Sequence, residues 1–283
     1  MDPQQPKIDG APNVFLMGEI STGKTRAIKT LIDAGVEVFL LATEPGYADI
    51  LGDIPPEKLH WHYIQGYGSE TGQAKLANIK AAAQLLQTTD METIKKMPGT
   101  GRANYNQFFQ LLEACNNFVD DRTGKAYGDT LNFTPGQALV IDGLSGINNM
   151  VSRMVAGNKP CMSWPEFEAC QFTIEQFINT MAQSLKCWFV VTSHVEMEPD
   201  PVTGLRKQMP STIGQKLAPK LTKFFSEAIV CRRLLENGTS RYVWDNVNTE
   251  AVVKNRNLPQ APNHKPDFGV IKANWEKKVE FTK

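Results

Sequence analysis

The chain has 283 residues, 41% of them hydrophobic, and carries 30 Lys and Arg against 30 Asp and Glu. That length can bury a sizeable core as one large domain or one domain with insertions, and the balanced charge excludes nucleic-acid binding through net charge, leaving only a local basic surface for it. Five cysteines without a C-x-x-C pair indicate neither a disulfide framework nor a zinc site, and no apolar run reaches the length of a membrane span or forms a signal peptide, so a soluble, cytoplasmic protein is expected.

Residues 1–12 are polar and proline-bearing and read as a flexible lead-in. A short apolar run, Val14 to Met17, then enters Gly18-Glu19-Ile20-Ser21-Thr22-Gly23-Lys24-Thr25, which fits G-x-x-x-x-G-K-[ST] at every fixed position. Ile28, Leu31 and Ile32 continue with helical spacing, so the order is strand, loop, helix. Each fixed residue has a task in holding phosphate. The glycines let backbone N–H groups turn inward at a helix N-terminus, where the dipole favours negative charge. Lys24 reaches the terminal phosphates, and the Thr25 hydroxyl completes a magnesium shell. The binding set is Gly18 through Thr25, with Arg26 following it. ATP and Mg2+ are the cofactors this pattern calls for.

Val36 to Ala42 reads as a buried strand ending at Thr43-Glu44-Pro45-Gly46. Glu44 therefore stands at a strand's carboxyl end, the edge where α/β sheets place ligands. His60 and His62 alternate on a second short strand and share a face, but no third metal ligand lies nearby and strand packing is expected. Helical periodicity covers 74–86 and 105–119, and the polar stretches 87–103 and 120–136 read as loops or insertions. Ala138 to Ile141 then runs into Asp142, four apolar residues and an acid. Paired with the glycine-rich loop, this places Asp142 with Thr25 at the metal.

A helical segment through Met150 and Met154 and a longer one over 164–185 follow. Their Met and Phe positions belong to a core. Cys187 to Val191 forms another buried strand, ending in Thr192-Ser193-His194. His194 is either a nucleotide sensor or a capped loop histidine. The stretch 196–214 reads as a hairpin or mobile loop. Lys216, Lys220 and Lys223 then make a stripe that is either a solvated face or a nucleic-acid contact, complicated by Pro219. Paired strands are expected around Glu236-Asn237-Gly238. From 251 onward seven Lys or Arg face three acids, and Lys254 and Arg256 sit at alternate positions of an expected strand. They meet an anion in a neighbouring copy, a local acid such as Glu250, or a DNA phosphate.

The order of these segments resembles the RecA-like ATPase superfamily. ATEPGYADIL is similar to the recombinase form of the glutamate segment, VVTSHV to the sensor strand, and VVKNRN to the helicase form of a trans-acting Lys-x-Arg pair. Within that superfamily the chain is most similar to phage-encoded nucleotide-binding ATPases of the recombinase-like, annealing-associated kind. The resemblance implies an α/β fold with a mainly parallel central sheet, helices on both faces and an antiparallel C-terminal addition. It implies a RecA-like domain over 13–258 and a basic extension over 259–283. It also implies ATP hydrolysis with Glu44 polarising water, Lys24 and His194 at the phosphates, and Lys254 and Arg256 acting across subunits of a homo-oligomeric ring or filament. Single-stranded DNA is the implied partner, and host cytoplasm the location if phage-encoded. His194 stands where recombinases usually carry Gln, which departs from the pattern. A P-loop kinase and a nucleotide-gated scaffold factor are the alternatives.

Overall fold

The computed structural model describes residues 10–64, 72–199, 204, 206–214, 216–248 and 250–281. Strand β1 (Asn13–Met17) passes through the glycine-rich loop into α1 (Lys24–Ala27) and α2 (Lys29–Asp33), two pieces of a helix interrupted at Ile28. Then come β2 (Glu37–Ala42), α3 (Tyr47–Leu51), β3 (Leu59–Tyr63), α4 (Gly72–Thr88), α5 (Met91–Lys96) and α6 (Gln107–Asn116). A small hairpin of β4 (Phe118–Val119) and β5 (Ala126–Gly128) precedes β6 (Gln137–Asp142), α7 (Leu144–Ala156), α8 (Trp164–Ser184) and β7 (Trp188–Ser193). A second hairpin, β8 (Val195–Pro199) and β9 (Arg206–Pro210), is followed by α9 (Ala218–Leu221), β10 (Glu227–Glu236), β11 (Thr239–Asp245) and α10 (Phe268–Phe281).

Seven strands form the central sheet in the order β11-β10-β1-β7-β6-β2-β3. All neighbours are parallel except β10 and β11. This is the architecture the resemblance implies. The apolar runs are unbroken because both sheet faces are covered. Along each strand the side chains alternate between two cores. Phe15, Phe39, Leu139 and Phe189 point to a core shared with α6, α7, α8 and α9, whereas Val14, Val38, Val140 and Val190 point to one shared with α1, α2 and α10. The turn between β10 and β11 places Asn237 and Gly238 at positive φ, 51° and 76°, the geometry of the primed hairpin turns.

Several expectations are corrected. The stretch 87–103 holds the end of α4, all of α5 and a 3-10 turn at Arg102–Asn104, and 120–136 holds β5 and a 3-10 turn at Thr130–Asn132. The second stretch is wedged into the core by Phe133, whose ring lies 4.4 Å from that of Phe39, so it is no loose insertion. The lysine-stripe segment is a single turn of α-helix with Pro219 in its first turn, and Lys220 and Lys223 both pair with Glu175. Residues 251–257 form isolated bridges instead of a strand. The extension 259–283 packs inward through α10, whose Phe268 and Ile271 are fully buried. Of the lead-in, residues 1–9 lie outside the described residues, and Ala11 donates to the Lys186 carbonyl at 2.9 Å. Among the described residues no helix is long and apolar enough to cross a membrane.

Candidate functional site

The carboxyl ends of β1, β2, β6 and β7 open onto one cavity of about 600 Å³. Its wall includes Thr22 to Arg26, Glu44, Asp142, Thr192, His194 and Tyr242. Thr25 and Asp142, 117 residues apart in sequence, and Glu44 and His194, 150 apart, meet here because parallel strands deliver their loops to one edge.

The loop needs its two glycines for different reasons. A Cβ on Gly18 would stand 2.4 Å from the Cys231 carbonyl oxygen on the adjacent β10. Gly23 has φ 85°, and its Cβ would stand 2.8 Å from the Tyr242 ring. Lys24 is buried and donates to the carbonyls of Gly18 (2.8 Å) and Glu19 (2.7 Å), so its ammonium lies across the mouth of its own loop. Burial lowers its pKa, opposed by the nearby carboxylates of Asp142 and Glu44. Thr22 closes the loop by donating to the Glu19 carbonyl at 2.8 Å. Ile20, in contrast, is 79% exposed.

Thr25 donates to Asp142 Oδ2 at 2.8 Å, and Thr192 donates to the other carboxylate oxygen. Burial pushes the Asp142 pKa up while these two hydroxyls pull it down. The pairing of Thr25 with Asp142 fits Mg2+, a hard cation that takes one or two protein oxygens and completes its shell with water and phosphate. Both residues would hold it.

Glu44 lies beside this pair. Its Oε2 is 3.4 Å from His194 Nε2, and its Oε1 is buried with no hydrogen-bond partner. The His194 hydrogen bond lowers the Glu44 pKa against the opposing effect of burial, and Ser145 and the Lys24 charge add to it. His194 Nδ1 is likewise buried and unpartnered. Thr43, next to Glu44, bonds both the N–H and the C=O of Gly143 (2.8 and 2.6 Å), which ties the β2 and β6 loops together. A glutamate with one free, buried oxygen facing a phosphate loop can accept a proton from water in the cavity.

Lys24, Thr25, Glu44, Asp142 and His194 are thus brought together, with Gly18 to Gly23 forming the loop. Lys254 and Arg256 are not among them. They lie at the opposite, amino-terminal edge of the sheet, where Lys254 bridges to Ala228 at the start of β10. Four strand steps, about 13 Å, separate Glu227 from Cys231 beside Gly18. His60 and His62 make local bonds: His60 to Glu37 and Tyr127 at 3.0 Å each, His62 to Asp121 at 2.8 Å. Among the described residues no group of three His, Cys, Asp or Glu could hold a metal by itself.

Sequence reading missed Thr43 and Tyr242. Tyr242 joins the main cavity to a second one of about 490 Å³, mostly apolar, lined by Arg26, Thr30, Asn263 and Lys265. The Arg26 guanidinium carbon lies 5.8 Å from the Tyr242 ring centre. No motif marks Tyr242, because its place follows from β11 pairing with β10 and β10 with β1.

No family model matches the chain, and no curated protein matches it either. Among solved structures it is similar to a KaiC-like protein from the hyperthermophilic archaeon Pyrococcus horikoshii OT3. The TM-score is 0.37 at 12% identity, with 89% of this chain and 83% of that chain covered. At that level the likeness settles nothing further, and the functional reading rests on the site.

Proposed function

We propose that this chain is a RecA-like ATPase that binds ATP with Mg2+ at the glycine-rich loop and hydrolyses it. The observation that carries this is the convergence of Lys24, Thr25, Asp142 and Glu44 on one cavity from the ends of three strands, β1, β6 and β2. Mg2+ would supply neutralisation of charge on the phosphate oxygens. Lys24 exchanges its two loop carbonyls for phosphate oxygens, a stronger, charge-assisted bond. Glu44, kept ionised by His194, orients water and takes its proton. Arg26 and Tyr242 present a cation and an aromatic face to the nucleobase side.

Lys254 and Arg256, remote from their own loop, are read as reaching the nucleotide of a neighbouring copy in a ring or filament of repeated heterologous contacts. Single-stranded DNA is the proposed partner, in a recombination, annealing or replication role of the phage-encoded kind. Steady-state ATPase measured with and without single-stranded DNA tests the reading. Hydrolysis that DNA stimulates is expected. ATP binding without turnover would favour a scaffold factor, and phosphate transfer to a small acceptor a kinase.

A further inference from the structure

The amino-terminal edge of the sheet holds a second polar cleft, about 310 Å³, lined by Lys223, Lys254, Arg256, Lys278, Trp275 and the start of β1 at Asn13. Four cations from three separate segments converge on it. Lys223 is paired with Glu175 at 3.1 Å, but among the described residues no carboxylate lies within 4 Å of the Lys254, Arg256 or Lys278 charge. Their ammonium groups turn to neutral acceptors: Lys254 donates to the Lys223 carbonyl at 2.9 Å, and Lys278 to the Arg256 carbonyl and to Asn257 Oδ1 at 3.0 Å. Like charges gathered this closely repel, and burial and Arg256 lower the Lys254 pKa against the opposing charge of Glu227, which lies beyond ion-pair distance.

The loop that carries Arg256 is held rigid despite this repulsion. Glu227, fully buried, accepts the backbone N–H groups of Arg256, Asn257 and Leu258 and the Asn257 side-chain amide at 2.7–3.4 Å. Lys278 grips the same loop from α10, and Asn274 donates to the Asn257 carbonyl at 2.9 Å. Glu227 is thus engaged by the backbone, while among the described residues Lys254, Arg256 and Lys278 have no carboxylate within 4 Å. A preorganised cluster of donors fits a phosphate group.

We propose that this cleft is a second phosphate-binding site, and that Lys278 and Lys223 complete it with Lys254 and Arg256 to take the terminal phosphate of a nucleotide held by a second copy of the chain. This rests on the trans reading above and adds α10, which no motif marks, to the site. Lys278 has two roles. It offers charge to the phosphate, and it positions Arg256 through that residue's carbonyl.

The test uses the full chain with Lys278→Gln, which keeps a donor and removes the charge, and Lys278→Arg. Nucleotide affinity at the variant's own loop, read with a fluorescent ATP analogue, is expected to stay within about twofold. The ATPase of Lys278→Gln should fall at least about tenfold in kcat, and Lys278→Arg should recover most of it. Mixing Lys278→Gln with Lys24→Ala subunits in verified mixed assemblies should restore activity, since the Lys24→Ala partner supplies an intact cleft. Arg256→Ala mixed the same way is the control. If Arg256→Ala is rescued while Lys278→Gln keeps full kcat, the trans reading stands and the role given to Lys278 is overturned. If neither variant is rescued, the trans reading itself fails. Loss of single-stranded DNA binding with unchanged ATPase in Lys278→Gln would make the cleft a nucleic-acid contact and overturn the proposal.

Discussion

The two edges of one sheet use charged side chains in opposite ways. At the carboxyl edge Lys24 is buried among Asp142, Glu44 and backbone carbonyls, so opposite charges share one cavity and each holds another in place. At the amino-terminal edge Lys254, Arg256 and Lys278 gather around a cleft, and the nearest acid, Glu227, spends its oxygens on backbone N–H groups. At the first edge each charge has an opposite charge beside it, whereas at the second Lys254, Arg256 and Lys278 have no carboxylate within 4 Å among the described residues. On the proposed reading, the first arrangement belongs to a site for the subunit's own nucleotide and the second to a surface that meets an anion from outside.

The largest expected effect breaks the carboxyl edge. Lys24→Ala removes the buried ammonium that the proposed function gives to the phosphate oxygens and should lower ATPase activity by at least about a hundredfold, with nucleotide affinity weakened in the same titration. Unchanged affinity and turnover would remove the carboxyl edge from nucleotide chemistry. Glu44→Gln comes next. It keeps the shape and removes the base, so nucleotide binding should persist while single-turnover hydrolysis falls by roughly 10²-fold or more.

The contrast between the edges also explains what the sequence made legible. The placement of the glycine-rich loop, Glu44 and Asp142 at one sheet edge could be read because each follows an apolar run that both faces of the sheet bury. Tyr242 and Lys278 could not be, because what brings them to the cavities they line is strand order and helix docking, which are long-range properties. Residues 251–257 were expected as a strand from Ala251-Val252-Val253. The Glu227 carboxylate instead captures the N–H groups that a ladder would have used. The stretch 120–136 has loop composition, yet Thr130 and Phe133 bury it, an outcome composition alone does not encode.

A smaller effect sharpens the carboxyl edge. The Glu44 pKa is lowered chiefly by the His194 hydrogen bond, so the acid limb of the ATPase pH profile should lie below the usual carboxylate range. His194→Ala removes that bond and leaves the opposing effect of burial, so the limb should move to higher pH. A limb that stays in place would show that His194 does not set the ionisation of Glu44.

The smallest expected effect lies at the other edge and concerns stability rather than rate. Glu227 is buried, and burial raises its pKa despite the N–H groups it accepts. An acid whose folded pKa exceeds its unfolded one binds more protons when folded, so its contribution is fully present below the unfolded pKa and is lost as pH rises through the folded pKa. Glu227→Gln is insensitive to this. It keeps one acceptor oxygen and loses the other, which should cost about 1–2 kcal/mol in the acid range, where the wild-type carboxyl is also neutral. As pH rises toward 7, the wild type should lose ground and the gap in thermal midpoint should narrow. Midpoints of both proteins across pH 4 to 7 measure this directly. A gap that widens with pH would mean that the N–H groups of 256–258 stabilise the carboxylate by more than burial costs it. The loop under Arg256 would then be held by a charge, and the contrast between the two edges would narrow.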